Sequence, residues 1–569
     1  MTTAFWNGTS DDWSNAADWS PGLPNPKRDA IVNADGTYTV TISSADKAQS
    51  LTIDNAGATL SENSGGSLTL GSGLTIDSGA AILDGANSFH GNTRLIGGTL
   101  ELGNALALGN SNLTIDGGIL IGIADAAMSN AMTASGTFTL AAAHGDTFRL
   151  ASQTVLNMNG GGTIEFGQTG DDGVLVWDPA TLGVADGGSG FAVDINTGTL
   201  RDGNGSLNEV LSAASTVNIA AGATLGIGGY ADTINELFGS GNIASNAGSA
   251  LTVENGDFSG DISGGIALTV IHQLQLSGTN TYTGSTTIAA GAQLTLTGTG
   301  LVKGGVTVGS DATFDIAGSV SVKGAVIVAD GAALNIAGNG SVAGGVISGS
   351  DAALDVADNG SITNGVTIGD GSTLSLHANS SISGNIADNG TFLIERSGSS
   401  TLTLNNTISG TGALDITSGK VILGTLNSYS GSTTLDGGTL KIDNIDELGT
   451  GPLVISHGTL VTTATISFDD SVTFEGGGNF SAASGTMLTI DTASWALGSN
   501  AKLSFGTSSN DGVVVWDSPA SAISGSVHSL SIKGGTLRAG NSDFQTLLNG
   551  ITSMESTATL DIAGFSEDV

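Results

Sequence analysis

The chain has 569 residues and a formal net charge of −38, from 52 Asp and Glu against 14 Lys and Arg. A surface this acidic repels nucleic-acid phosphates and anionic membranes, so we exclude nucleic acid as a partner. The lack of cysteine excludes disulfides, zinc–thiolate sites and a thiol nucleophile. Glycine occurs 90 times without a Gly-X-Y period, which excludes collagen, and a charged fraction of only 12% argues against disorder.

Residues 1–50 are the first predicted segment, an N-terminal cap with the first turns of the fold. Three of the six tryptophans, Trp6, Trp13 and Trp19, lie there among prolines. Two roles suit this composition: large rings that cover the open end of a β-structure, or an aromatic platform that binds sugar. We favour the cap, because an uncovered sheet edge pairs readily with other chains.

Residues 51–250 are predicted to form a β-module that recurs over 411–569. Segment 87–100 matches 427–440, an offset of 340 residues, and later matches in the two copies keep nearly the same offset. We therefore predict that about 87–235 is one module used twice.

Each copy of the module also predicts a short helical excursion, over 207–211 and 544–548. Apolar residues in both segments fall at positions i and i+4, and each segment follows a cluster of Asn, Ser and Asp. We expect these helices to be small additions to the β-structure.

Residues 251–410 contain the most regular repeat, with a period of 20 that is clearest over 291–390. Apolar residues two positions apart predict short strands with one face inward, and the fixed period stacks each strand over its predecessor. The four apolar columns are Leu294, Phe314, Leu334, Leu354, Leu374; Leu296, Ile316, Ile336, Val356, Leu376; Val302, Val322, Val342, Ile362, Ile382; and Val306, Val326, Val346, Val366, Ile386. One repeat buries too little alone, so stacked repeats share a core.

The predicted fold class is all-β, a parallel β-helix or β-solenoid with about 20 residues per turn. An α-solenoid is the competing repeat architecture, but the units are rich in glycine and β-branched residues and lack a 3.6-residue stripe. One column is predicted to form a corner with positive φ, which glycine adopts freely and asparagine tolerates. That column holds Gly304, Gly324, Gly344, Asn364 and Gly384.

A third recurring element spans 276–294 and aligns with the segments that begin at Asn87 and Asn427. It resembles the autotransporter-associated β-strand repeat, Leu-x-Gly-x-Asn-x-Tyr-x-Gly-x-Thr-x-Ile, found in passenger regions of Gram-negative type V secreted proteins. The copy at Asn280 fits nearly position for position, and the other two are looser. The resemblance implies a right-handed β-helix that is exported through an outer-membrane β-barrel of the same precursor, a barrel that this chain does not contain.

The second module stops at 569 inside a motif that continues in the first copy, so we expect a longer precursor. The resemblance implies an extracellular or cell-surface location, with the passenger anchored through that barrel or released. Its function would be that of an elongated adhesin, scaffold or self-associating rod, with a host surface, a neighbouring cell or its own copies as partners. The alternatives are a polysaccharide lyase or hydrolase with the same fold, and a phage-tail-like fibre.

The enzyme alternative needs clustered carboxylates with a basic residue near the sugar. The acidic candidates are Asp171 and Asp172 with Asp178, Asn510 and Asp511 with Asp517, and Asp469 with Asp470, while Arg201 and Arg538 would approach the first two groups. Asp171, Asp172 and Asp511 are the candidate metal ligands, and Trp177 and Trp516 the candidate binding residues. The competing interpretation, which we favour, is polar turns that flank an inward strand with both tryptophans in the core. We expect no catalytic residue and no cofactor.

Overall fold

The computed structural model describes residues 2–565 except 64, 152–154, 160, 179–180, 186–189, 398–400 and 493. The chain divides into two compact units, Met1–Ser285 and Thr286–Val569. Within each unit the strand pairs are parallel, apart from one antiparallel pair near the N-terminus, and pairing partners lie about one 20-residue repeat apart. Each unit is therefore a parallel β-solenoid, as predicted. The finer division into four segments stays a prediction.

Unit 1 begins with short strands and contains several long ones that run through a corner without a break. Its strands are Thr2–Trp6, Asp11–Asp12, Trp19–Ser20, Arg28–Val32, Tyr38–Ile42, Ala45–Glu62, Ser67–Leu83, Ser88–Phe89, Thr93–Leu95, Thr99–Leu102, Leu113–Ile115, Ile119–Gly122, Ala127–Met128, Met132–Ala134, Phe138–Ala142, Thr147–Leu150, Val155–Asn159, Thr163–Phe166, Val174–Trp177, Thr181–Ala185, Ala192–Ile195, Thr199–Asp202, Thr216–Ile219, Thr224–Gly226, Ala231–Gly239, Asn242–Phe258 and Asp261–Leu276.

The regular part of unit 2 has three strands per turn, which stack into three sheets. The first sheet is Thr286–Ile288, Val306–Val308, Val326–Val328, Val346–Ser348, Val366–Ile368, Ile386–Asp388 and Ile408–Ser409. The second is Gln293–Leu296, Thr313–Ile316, Ala333–Ile336, Ala353–Val356, Thr373–His377, Thr391–Glu395, Ala413–Ser418, Thr433–Leu435, Leu453–Ile455, Val472–Phe474, Trp495–Leu497 and Ile523–Ser524. The third is Thr299–Val302, Ser319–Val322, Ser341–Val342, Ser361–Ile362 and Ser381–Ile382.

Two further sheets complete the later turns of unit 2. One is Thr401–Leu404, Lys420–Leu423, Thr439–Ile442, Thr459–Thr462, Gly477–Ala482, Lys502–Phe505, Ser529–Ile532 and Ile551–Met554. The other is Ile466–Phe468, Met487–Ile490, Val513–Trp516, Thr536–Ala539 and Thr559–Asp561.

The described helices are short. The α-helices are Asn208–Ala213 and Gln545–Leu548, and the 3₁₀-helices are Ala16–Asp18, Ile445–Leu448, Ala520–Ala522 and Ser542–Phe544. The two α-helices fall on the predicted excursions and confirm them. In the part of the chain that is described, no helix has the length and apolarity needed to cross a membrane.

The predicted 20-residue register is observed directly. Leu294 pairs with Phe314, and the same column continues through Leu334 and Leu354 to Leu374. These five side chains are at most 1% exposed. Burial of one such apolar side chain contributes on the order of 1.5–3 kcal/mol, so the columns are the continuous core that single repeats lack.

The corner column corrects one expectation. Asn364 and Gly384 have positive φ, 67° and 87°, but three glycines of the column do not. In the turn of Gly344 the positive φ falls on the following residue, Gly345. A Cβ atom on Gly344 would lie 2.2 Å from the carbonyl carbon of Gly324 in the turn below. Close stacking of backbones, rather than a left-handed conformation, therefore requires glycine in this part of the column.

Candidate functional site

The N-terminal tryptophans form a buried cluster. Trp6, Trp13 and Trp19 are 1–3% exposed. Trp19 makes edge-to-face contacts with Trp6 and Trp13, with ring centroids 5.0 and 4.7 Å apart, and its Nε1–H donates to the carbonyl of Trp13. Because the three indoles are buried against one another, they are poorly placed to stack on a sugar, and the N-terminal cap stays a prediction.

Trp177 and Trp516 lie at corresponding places, at the ends of two inward-facing strands. Each side chain is 2% exposed. Trp177 packs edge-to-face on Phe166 with centroids 5.9 Å apart, and Trp516 lies 4.6 Å from the ring of Trp495. Their burial supports core packing for both indoles. The binding role of Trp177 and Trp516 stays a prediction.

Asp171 and Asp172 lie in the tight turn before the strand of Trp177. Asp171 accepts a hydrogen bond of 2.6 Å from Nε2 of Gln168 in the same turn. Asp172 reaches the preceding turn of the solenoid, where its Oδ1 is 2.6 Å from Nδ1 of His144. This hydrogen bond, together with the charge of the partner, raises the pKa of His144 and lowers the pKa of Asp172. The pair is exposed, 82% for the histidine and 46% for the aspartate, so solvent screens it strongly.

Asp178 lies at the other end of the same strand and is 7% exposed. Its Oδ2 pairs with the guanidinium of Arg149, and both carboxylate oxygens accept hydrogen bonds from Asn204, at 3.0 and 3.1 Å. Among the described residues no ion pair joins Arg201 to these aspartates. Asp171, Asp172 and Asp178 therefore do not form one site. The basic partner of Asp178 is Arg149, which the sequence analysis did not identify.

A pocket of about 430 Å³ lies beside Asp178 and the first α-helix. It is lined by Trp177, Asp178, Gly205, Ser206, Asn208, Glu209 and Ala231. The carboxylate of Asp178 is already neutralised by Arg149. Glu209 supplies a second carboxyl group to the lining, so the pocket holds one carboxylate paired with arginine and one further carboxyl group.

The second copy of the candidate site differs in its polar contacts. Asn510 takes the place of Asp171 and bonds within its own turn, while Asp511 is exposed. Asp517 accepts a hydrogen bond of 3.1 Å from the next turn. Arg538 is directed away from these residues, with its Nε 2.7 Å from Oδ2 of Asp561.

The third acidic candidate pair, Asp469 and Asp470, has one exposed and one partly buried side chain. Asp469 is exposed, whereas burial, assisted by the charge of Asp469, raises the pKa of Asp470. Across the described residues, no three His, Asp or Glu side chains are grouped so that they could hold a metal ion. Asp171, Asp172 and Asp511 are therefore not part of a metal-binding cluster among the described residues, and their role as metal ligands stays a prediction.

Three buried asparagines tie successive turns together. Asn87 accepts a hydrogen bond of 2.6 Å from the N–H of Leu68 and donates to the carbonyl of Ala107 at 2.9 Å. Asn427 repeats this bridge between Ile408 and Glu447, at 2.8 and 2.6 Å. Asn280 likewise accepts from the preceding turn, at 3.1 Å from the N–H of Ile262. Recurrence of Asn in the three motif copies was the only sequence signal for this role.

Buried carboxyl groups were not predicted from the sequence. Glu62 and Asp232 are 1% exposed and Asp388 is 0% exposed, and each has one carboxylate oxygen without a hydrogen-bond partner. Burial raises the pKa of all three, that of Asp388 to about 6. Asp388 pairs with Ile368 in an inward column of the first sheet. An acidic residue at a repeat position that is otherwise mostly apolar could therefore have predicted its burial from the sequence.

The outward side of the first sheet of unit 2 carries no charged side chain. We call its outward residues the neutral face; they are Thr287, Thr307, Ile327, Ile347, Thr367, Ala387 and Ser409. Ile327 and Ile347 pair across consecutive turns and are 48% and 50% exposed. A shallow groove of about 430 Å³ runs beside the later strands of this sheet.

Comparison with known families identifies three segments. Residues 76–102, 273–292 and 418–442 each match the family model of the passenger-associated-transport-repeat. Each match contains one of the buried bridging asparagines, Asn87, Asn280 or Asn427. Neither the curated protein sequences nor the solved structures include a significant match to the chain.

Proposed function

We propose that this chain is an autotransporter passenger domain that acts as a non-enzymatic surface scaffold and adhesin. The premise is the presence of three passenger-associated transport repeats. Passenger repeats imply an extracellular or surface location. In this proposal the solenoid units present repeated polar rows to a host surface, a neighbouring cell or other copies of the same passenger.

The observation that carries the proposal is the constant register of outward side chains. In the third sheet of unit 2 one outward column holds Leu301 and then serine in four successive turns, at Ser321, Ser341, Ser361 and Ser381. The hydroxyls of Ser321 and Ser341 are 3.0 Å apart. Short, uncharged polar groups repeated at about 4.8 Å favour many weak contacts that act together.

The acidic charge gives the contacts selectivity in this proposal. With a net charge of −38, two copies repel each other unless uncharged or complementary surfaces meet. The charge therefore limits indiscriminate clumping while the aligned rows supply adhesion.

The proposal is tested by displaying the passenger on a Gram-negative strain that lacks other adhesins. We expect faster settling of the cells, or stronger attachment to host cells, than with the same strain displaying an unrelated β-solenoid at equal density. Unchanged settling and attachment would refute the proposal. Turnover of an acidic polysaccharide that is lost in Asp172→Ala and Asp511→Ala would support the enzyme alternative instead.

A further inference from the structure

The neutral face of unit 2 combines a lack of charge with two exposed isoleucines, on a chain whose net charge is −38. Seven successive outward positions hold only Thr, Ile, Ala and Ser, although acidic residues exceed basic ones by 38 in the whole chain. Ile327 and Ile347, at its centre, are each about half exposed. Large aliphatic side chains in adjacent turns form a continuous apolar row, which association would remove from water.

The two edges of the neutral face carry opposite charges. Lys303 and Lys323 lie in the corner before the strands of Thr307 and Ile327, and both are exposed. The corner after the strands is acidic and exposed in four consecutive turns, at Asp311, Asp330, Asp351 and Asp370. The face is thus an uncharged strip between a basic edge, formed by the two lysines in two of the seven turns, and an acidic edge, formed by the four aspartates.

These edges choose between the two symmetric ways in which two copies can face each other. If the solenoid axes are parallel, the basic edge of one copy meets the acidic edge of its partner, and Ile327 lies opposite Ile327 of the partner subunit. If the axes are antiparallel, acidic edge meets acidic edge, and like charges oppose association. Charge complementarity therefore favours a second copy, aligned parallel and in register.

We propose that the neutral face is the surface through which two copies of this passenger pair side by side with parallel axes. The proposal rests on the self-associating role proposed above and assigns that role to one sheet. It also gives a direction: parallel axes suit passengers anchored on the same surface.

The size of the face sets the strength of pairing. Seven strands about 4.8 Å apart make a row roughly 30 Å long, and a width of about 10 Å gives a contact of roughly 300 Å² per copy. Stable complexes bury about 800 Å² per partner, so purified copies should pair weakly and reversibly. Dense display on one surface raises the effective concentration and strengthens the same contact.

Single-cysteine cross-linking tests the face, because the chain has no native cysteine. Purified Thr307→Cys is treated with a short bismaleimide, and Thr403→Cys, at an exposed outward position on the sheet that begins with Thr401–Leu404, is the matched control. We expect at least threefold more cross-linked dimer from Thr307→Cys than from the control. Equal yields from the two variants would overturn the proposal. A mixture of Thr307→Cys and Thr367→Cys that forms only mixed dimers would overturn the parallel alignment.

Charge insertion gives the second, independent test. The double variant Ile327→Asp, Ile347→Asp adds two negative charges to the neutral face, and Thr403→Asp, Ile422→Asp adds the same charge to a pair of outward positions on the sheet that begins with Thr401–Leu404. All four positions point outward, and circular dichroism checks that each variant folds. We expect the first variant alone to lose dimer formation and cell clumping.

The outcomes separate this inference from the broader proposal. Clumping that is equally strong in the wild type and in the isoleucine double variant would leave the scaffold function standing and refute the neutral face as its surface. Dimers of purified wild-type protein that depend on the isoleucines would support the face even if displayed cells attach to nothing. If cells that display the wild-type protein neither attach nor clump, the adhesin function is refuted.

Discussion

The side-chain oxygen of Asn427 accepts a hydrogen bond of 2.8 Å from the backbone N–H of Ile408, nineteen residues earlier in the chain. The amide group of the same asparagine donates to the carbonyl of Glu447, twenty residues later, at 2.6 Å. One 8% exposed side chain thus connects three turns of the solenoid. This geometry explains why the transport repeats carry asparagine, whose amide both accepts and donates.

Replacing this asparagine should therefore be costly. We expect Asn427→Ala to lower the free energy of unfolding by about 2–4 kcal/mol, because it leaves a buried N–H and a buried carbonyl without partners. Denaturant titration measures the change. The exposed Asn405→Ala is the control and should change stability by less than about 0.5 kcal/mol. Similar losses in both variants would refute the bridging role.

Asp388 predicts a pH dependence of stability. Burial raises the pKa of its carboxyl from an ordinary value near 4 to about 6, with a smaller effect from the charge of Asp415. A raised folded pKa means that the folded state holds the proton more tightly. The contribution of this carboxyl to the free energy of unfolding should therefore fall as pH rises from about 4 through about 6, by at most about 3 kcal/mol, and change no further at higher pH.

The variant Asp388→Asn checks this effect, because it keeps the shape and removes the charge. We expect it to stabilise the protein at pH 8 and to change stability little at pH 4, as measured by denaturant titration at both values. Asp370→Asn, in the exposed turn of the preceding repeat, is the control. A stabilisation at pH 4 as large as that at pH 8 would contradict the assignment to ionisation.

His144 and Asp172 predict a local titration. Their hydrogen bond raises the pKa of the histidine, so the pair contributes fully below the ordinary histidine pKa and is lost as pH rises through the raised value. We expect the NMR titration of His144 to move back toward about 6.5 in Asp172→Asn. The exposed counterpart variant Asp511→Asn should leave it unchanged, and a shift in both variants would argue for a long-range effect.

Leu334 and Ile327 allow a comparison of inward and outward apolar residues in neighbouring strands. Leu334 is 1% exposed in the core column, and Ile327 is 48% exposed on the neutral face. Leu334→Ala should lower the free energy of unfolding by about 2–5 kcal/mol through the cavity it leaves. Ile327→Ala should cost less than about 1 kcal/mol, since about half of this residue stays in water on folding. Equal losses would show that the assignment of faces is wrong.

The repeating core was predictable because a period of 20 residues with apolar alternation leaves few ways to bury those side chains. The columns that begin at Leu294 and Val302 were therefore correct in phase and partner. The corner column was predicted less well. At some turns glycine is required because two stacked backbones approach closely, and at others because the local φ is positive. Both requirements select glycine, so the sequence does not distinguish them.

The candidate site shows where sequence reasoning stopped. Spacing placed Asp172, Asp178 and Trp177 together along the chain, yet the strand between them puts the two aspartates at opposite ends. Their true partners, His144 and Arg149, come from the preceding turn, almost thirty residues earlier. Insertions in that part of the chain break the 20-residue period, so a register counted from the sequence does not identify those partners.

By itself, the sequence determined the parallel β-solenoid, the inward columns and the family resemblance, because each depends on residue type repeated at a fixed interval. Only the tertiary structure decided which polar groups meet: the bridging role of Asn427, the burial of Asp388 and the covering of Trp177. The reason is physical. Periodicity fixes the direction of each side chain, but hydrogen bonding and burial depend on the atoms that the neighbouring turn places against it.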